Sequence, residues 1–145
     1  LDKLVDTPLV VLLSAASTRP WDFVTTGDPR TVADLVKPEG LKWIASYAQG
    51  IGPTLDLVIP KDANGALTTP TTLVADAHRA GLILHPYTMR NENTFLPANF
   101  RRGTDPNAYG DAFGAFRTYF ATGIDGVFSD NADTALLARE DFVNG

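Results

Sequence analysis

Leu9-Val10-Val11-Leu12-Leu13, entered through Pro8, is an unbroken apolar run of strand length. It has the pattern of a strand buried on both faces. Downstream, Asp28 is placed to cap a helix and Pro29 to fill its first position, with Val32, Leu35 and Val36 as its apolar stripe and Pro38 as its stop. Leu41 to Tyr47, carrying Trp43 and Ile44, predicts one or two further helical turns, and Ala48-Gln49-Gly50-Ile51-Gly52-Pro53 reads as a short glycine-rich strand. Apolar runs alternating with amphipathic segments are the signature of βα units on a parallel sheet.

The alternation continues. Leu73, Val74 and Ala77 share one helical face, Gly81 stands where a left-handed residue closes a helix, and Leu82 to Tyr87 is the next strand. A polar loop from Arg90 to about Asn107, holding Glu92, Arg101, Arg102 and Asp105, exceeds the usual connection, and such length predicts function or mobility. Phe113, Phe116 and Phe120 recur at helical spacing as an aromatic stripe that has to be buried. Ile124 to Phe128 predicts the last strand. A final helix follows, capped by Asp130 or Asn131 and turning Ala135 and Leu136 inward.

No linker or low-complexity stretch divides the chain, so residues 1–145 read as one architectural unit. The expected fold class is α/β, built of TIM-barrel-type units. Four βα units at intervals of roughly 35 to 40 residues make half of a (β/α)₈ barrel, whose full length is about 250 residues. A half barrel cannot close: its outer strands present unpaired backbone groups and its inward side chains face water, so it calls for a partner. A four-stranded open sheet with helices on both faces is the competing arrangement.

The chain has 145 residues, 44% of them hydrophobic, and a net charge of −5, as an ordinary soluble domain does. An acidic chain with no run of Lys or Arg has no electrostatic reason to hold nucleic acid or an anionic membrane. There is no apolar stretch of about 20 residues to make a membrane span, and no charged-then-apolar leader. The absence of cysteine excludes disulfides, thiolate catalysis and Cys-based zinc sites. The first residue is Leu1 rather than Met, which fits a piece of a longer protein.

Few residues suggest chemistry on their own. Gly50-Ile51-Gly52 and Gly123-Ile124-Asp125-Gly126 lack the spacing of a dinucleotide fingerprint or a P-loop and read as turn and packing glycines. His78 reads as a surface histidine. His85 ends an apolar strand, with Ile83 and Tyr87 on its face, at the C-terminal edge where α/β sheets assemble sites; a hydrogen-bonded core histidine before a strand-ending proline is its structural alternative. Asp130 suits helix capping as well as ligand binding. Arg90 is placed to meet an anion near the loops after the last strands, where barrels bind phosphate, or to be simply solvated. Asp125, Asp130 and Asp133 are too spread for a hard-cation site, and no complete acid–base pair, triad or metal centre stands out.

Two motifs go beyond pattern. His85-Pro86-Tyr87-Thr88-Met89-Arg90-Asn91-Glu92-Asn93, followed by Gly123-Ile124-Asp125-Gly126-Val127-Phe128-Ser129-Asp130-Asn131-Ala132-Asp133, resembles the C-terminal part of glycerophosphodiester phosphodiesterases. Tyr47-Ala48-Gln49-Gly50-Ile51-Gly52-Pro53 is similar to a third motif of that family, in the same order and at compatible spacing.

The resemblance implies a (β/α)₈ enzyme that hydrolyses glycerophosphodiesters to glycerol 3-phosphate and an alcohol with a bound Ca²⁺ or Mg²⁺. The cation would neutralise phosphate charge while histidines move protons. The family's catalytic histidines and metal carboxylates belong to the first half of its barrel and match no position here. His85 belongs to the later motif and does not take the catalytic role. By the same resemblance the substrate-binding candidates are Tyr87 as an aromatic pocket wall, Arg90 as the polar residue after it, His85, Phe128 as a second wall and Asp130 as an acid at the mouth. Relatives often carry an acid near Ala115, where this chain has none.

The expected partners are a glycerophosphodiester and either a missing N-terminal half or a second copy of the chain. On its own the chain is expected to be inactive. A non-catalytic half barrel acting as an assembly or binding module is the alternative. The His85 motif also resembles that of exported relatives, which points to the cell envelope or exterior.

Overall fold

The computed structural model describes residue 4 and residues 6–145. Three strands, β1 (Val10–Leu13), β2 (Gly50–Pro53) and β3 (Ile83–Leu84), form a parallel sheet in the order β1-β2-β3. Val10 stands opposite Gly50, Leu13 opposite Pro53, and Gly50 opposite Ile83. The helices are α1 (Trp21–Thr26), α2 (Val32–Leu35), α3 (Pro38–Ala45), α4 (Leu55–Val58), α5 (Leu73–Arg79), α6 (Ala112–Phe120) and α7 (Ala132–Asn144). The result is a mixed α/β architecture with a small parallel sheet, compatible with a fragment of a TIM-barrel-type fold.

Alternation along the strands sorts the side chains. Leu13, Ile51 and Leu84 are buried against the helical layer with Leu41 and Ile44 of α3, Ala77 of α5 and Phe116 of α6. Val10, Leu12 and Ile83 point the other way and remain exposed. The expectation of a first strand buried on both faces is therefore corrected, because among the described residues no layer covers this second face. Glycines in β2 let the neighbours lean across it. A Cβ on Gly50 would come 2.7 Å from Cγ1 of Ile83, and one on Gly52 would come 2.7 Å from Cδ2 of Leu12.

Several other expectations are corrected by the hydrogen bonding. Asp28 does not cap a helix: its carboxylate takes the Arg30 N–H at 2.9 Å and the Arg30 guanidinium at 2.7 Å. The helix begins at Val32 instead, with the Asp34 carboxylate reaching back to the Thr31 N–H at 3.0 Å. Pro38 starts a helix rather than only ending one, since the first position of α3 needs no N–H donor. Gly81, at φ 80°, closes the turn after α5 as predicted. Short helices α1 and α4 carry little periodic signal and were not anticipated.

The second half of the chain departs further. In α6 the buried face is Ala112, Ala115, Phe116 and Tyr119, while Phe113 is 43% exposed, so the phenylalanine stripe is only partly inward. The expected strand from Ile124 to Phe128 is not regular. It runs beside β3 through Asp125 N–H to Leu84 C=O and Phe128 N–H to Pro86 C=O, with a single parallel bridge from Met89 to Ser129. Leu136 is exposed, and Ala135 and Ala138 make the inner face of α7. Asn131, not Asp130, stands at the N-cap position of that helix, its C=O accepting the Ala135 N–H at 3.0 Å; its side chain makes no capping bond, and its carboxamide oxygen accepts the Asn91 N–H at 3.1 Å.

The polar loop is closed on itself. Asn93, buried, donates to the carbonyls of Arg102 and Asp105 at 2.7 and 2.9 Å and accepts the Arg102 N–H at 2.8 Å. These bonds fold the loop against α6, which begins right after it with the Asp111 carboxylate accepting the Gly114 N–H.

Candidate functional site

The segments leaving the C-terminal ends of β2 and β3 gather the sequence candidates at one edge. Tyr87 extends the sheet beyond β3: its N–H donates to Pro53 C=O at 3.0 Å and its C=O accepts from Leu55 N–H at 3.1 Å. A cis peptide bond joins it to Thr88. Ser129 is bridged to Met89, and the Asp130 N–H donates to Met89 C=O at 3.1 Å, which carries Phe128 and Asp130 to the same edge.

Together these residues bound an open cavity of about 330 Å³ lined by Leu12, Tyr87, Thr88, Phe128, Ser129 and Asp130. Three of the five sequence candidates, Tyr87, Phe128 and Asp130, thus share one cavity. Leu12, Thr88 and Ser129 were missed, although Leu12 lies two residues from Val10 and a period-two reading of the first apolar run would have put both on the open face.

His85 stands one layer deeper on the open sheet face, partly buried and outside the cavity lining. Its ring meets Phe128 edge-on with centroids 6.4 Å apart. It also lies flat over Gly126, where a Cβ would come 2.9 Å from the imidazole. The geometry makes His85 a support for the Phe128 wall.

Arg90 stands at the rim rather than in the cavity. Its guanidinium stacks over Phe95 at 4.3 Å from the ring centre, and its Nε lies 2.5 Å from Asp130 Oδ2, near enough for an ion pair but outside hydrogen-bond alignment. The residue turns into a narrow cleft with Lys61, Leu55, Phe95 and Tyr119. Lys61 is itself held by Asp56 at 3.0 Å. The buried Tyr119 hydroxyl, without a hydrogen-bond partner, is pushed well above the ordinary value of 10.0 by burial and the Asp56 charge, so it stays protonated.

One further tie was missed. His78 Nε2 lies 2.9 Å from Asp125 Oδ2, the same oxygen that accepts the Leu84 N–H at 2.8 Å. Its sequence signal was weak, because a histidine on a polar helix face looks merely solvated. Among the described residues no group of three or more His, Cys, Asp or Glu side chains is placed to hold a metal ion. No helix there is long and apolar enough to cross a membrane.

Residues 4–134 match the model of the glycerophosphoryl diester phosphodiesterase family. The chain is also similar to the Arabidopsis thaliana protein named glycerophosphodiester phosphodiesterase GDPD6, with 35% identity over 130 residues, 90% of this chain and 32% of that protein. It therefore spans about a third of the length of that relative. With the family match running through every element from β1 to the start of α7, the chain belongs to the glycerophosphoryl diester phosphodiesterase family.

Proposed function

We propose that this chain is the C-terminal half of a barrel enzyme that hydrolyses a glycerophosphodiester to glycerol 3-phosphate and an alcohol, supplying pocket wall and scaffold. The observation that carries the reading is the cavity of Tyr87, Phe128 and Asp130 at the C-terminal sheet edge, in a chain of this family. Enzymes of the family are generally metal-dependent. The residues described here do not fit a cation site, so the Ca²⁺ or Mg²⁺ of the complete enzyme would be held by residues outside this chain, as would the proton-transferring histidines. In this reading Tyr87 and Phe128 shape the pocket, and Arg90 at the rim meets the phosphodiester charge.

The test is release of glycerol 3-phosphate with Ca²⁺ or Mg²⁺, measured for residues 1–145 and for the longest natural polypeptide that contains them. The longer polypeptide should be active and the short chain inactive. Turnover by residues 1–145 alone would remove the need for another half, and no turnover by the longer polypeptide would sink the hydrolase reading.

A second reading is favoured by the uncovered apolar face of Val10, Leu12 and Ile83: a non-catalytic module that pairs with a second copy through its sheet. Association without turnover would favour it. As the site of action we propose the cell envelope or exterior, which secretion of the natural polypeptide would support.

A further inference from the structure

We propose that Phe95 is a positioning residue for Arg90: the long polar loop holds its ring against the guanidinium, so that the arginine keeps one orientation and presents its N–H edge at the rim. The inference rests on the hydrolase reading above, in which Arg90 meets the phosphodiester charge, and it names what sets that side chain in place.

Packing alone does not account for Phe95. The ring is 49% exposed, whereas its neighbour Leu96 is 2% exposed and is the residue that seals this turn into the core. Phe95 instead lies under Arg90, whose Cζ stands 4.3 Å from the ring centre.

The loop backbone holds the ring there. The Phe95 and Leu96 N–H groups both donate to Glu92 C=O, at 3.0 and 3.2 Å. On one side Asn93 N–H donates to Ala108 C=O and Thr94 N–H to Pro106 C=O, each at 2.9 Å; on the other, Arg101 Nε donates to Leu96 C=O at 3.0 Å. A ring carried on a turn pinned from both sides has little freedom, so an arginine resting on it gives up less rotamer entropy when a ligand binds.

Arg90 needs such a support. Its Nε is buried without an aligned hydrogen bond, and Asp130 Oδ2, 2.5 Å away, forms an ion pair that fixes distance but not the plane of the guanidinium. A ring face fixes that plane. It covers the flat side of the group and leaves the in-plane N–H donors free, where a second carboxylate would occupy them. Bidentate recognition of a phosphate depends on that planar fork. The Arg90 side chain is 35% exposed, so part of it reaches solvent.

The experiment measures kcat and KM for glycerophosphocholine in the longest natural polypeptide containing this chain, as wild type, Phe95→Leu, Phe95→Tyr, Arg90→Ala and the double variant Phe95→Leu, Arg90→Ala. Phe95→Leu should raise KM about 5-fold with kcat changed by no more than about 2-fold, because Arg90 holds the same charge in the ground and transition states. Phe95→Tyr, which keeps the ring, should restore the wild-type KM. In the Arg90→Ala background Phe95→Leu should add nothing, since the residue acts through the arginine. A merely structural role predicts the opposite pattern: kcat falls with the folded fraction and KM stays. That pattern, or an equal Phe95→Leu effect with and without Arg90, would overturn the inference while leaving the hydrolase reading intact.

NMR of the Arg90 Nε–H group in residues 1–145 judges the contact without catalysis. The ring current of Phe95 should shift this proton, and the shift should vanish in Phe95→Leu and persist in Phe95→Tyr. A resonance unmoved by Phe95→Leu removes the assignment. If no glycerophosphodiester is turned over by the longer polypeptide, the hydrolase reading fails, and the resonance alone decides whether Phe95 sets the arginine.

Discussion

His78 Nε2 lies 2.9 Å from Asp125 Oδ2, so a side chain on α5 is tied to the segment that ends in Phe128 and Asp130. The same carboxylate oxygen accepts the Leu84 N–H, and α5, β3 and the irregular fourth segment therefore meet at one acid. Partial burial pushes the Asp125 carboxyl up, but the His78 contact, the Leu84 N–H and the neighbouring His85 together outweigh burial and hold it below its ordinary value of 3.8. A carboxyl lowered in the folded state stabilises above its unfolded pKa, and that contribution is lost as pH falls through the lowered value. Replacing Asp125 by Asn should destabilise the chain at pH 7 by about 1 kcal/mol and flatten the loss of stability below about pH 4. Circular-dichroism unfolding at pH 7 and pH 3 gives the check, and identical pH profiles for the two proteins would contradict the assignment.

Gly40 is fixed by close approach rather than by conformation. A Cβ there would stand 2.4 Å from the Asp34 carbonyl oxygen and 2.5 Å from Leu35 Cα, both backbone atoms of α2 that cannot swing aside. Gly40→Ala should cost about 3 kcal/mol through overpacking between α2 and α3, read as a lowered urea midpoint with an unchanged m-value. By contrast Gly27, at φ 77°, has open space around it, so Gly27→Ala should cost only the strain of a left-handed residue, about 1 kcal/mol. Equal losses at the two positions would show that backbone proximity at Gly40 is not the cause.

The parts of the fold that were legible are those whose signal is local and periodic. Leu9 to Leu13, the Leu73-Val74-Ala77 face and Gly81 each carry their structure in their own spacing, and β1, α5 and the turn after it are where they were expected. Asp28 misled because Arg30, two residues on, competes for the carboxylate that would otherwise cap a helix, a choice that only geometry decides. Phe113 and Leu136 misled for a different reason: helical period tells which residues share a face, not where the neighbouring layer ends. At the cavity, Tyr87, Phe128 and Asp130 were legible because they sit inside motifs. Ser129 lies in the same motif but carried no assigned role, and joins the site through its pairing with Met89; Leu12 lies outside the motifs, and its period-two spacing gives only its face, the site itself depending on strand order.

Asn93 carries the long loop. Its carboxamide makes three bonds to backbone groups nine to twelve residues away, and it is buried, so truncation strips the Arg102 carbonyl and N–H of these bonds and leaves the Asp105 carbonyl only the Ala108 N–H at 3.3 Å. Asn93→Ala should cost about 2 to 3 kcal/mol locally. It should also speed amide exchange and proteolysis between residues 94 and 110 while leaving the protection of Ile51 and Leu84 in the core unchanged. Uniformly faster exchange across the chain would mean that the loop unfolds with the domain and not ahead of it.

The open sheet face yields the prediction with the widest consequence. Val10 is 38% exposed, Leu12 64%, Ile83 42% and Phe128 45%, and all four lie on the side of the sheet away from the helices. Contiguous apolar surface of this kind is uncommon on a soluble monomer. Residues 1–145 alone should therefore bind an apolar dye and associate with rising concentration. The double variant Val10→Ser, Ile83→Ser should lower both by about half, with stability changed by no more than about 0.5 kcal/mol because the altered side chains face solvent. Sedimentation and dye fluorescence on the same sample report the outcome. A monodisperse monomer without dye binding would mean that the face is not an interface, and would remove the shared premise of both the half-enzyme and the self-pairing module. If association persists in the double variant, the contacts lie elsewhere, and the exposed residues of α7, Leu137 and Val143, become the surface to substitute next.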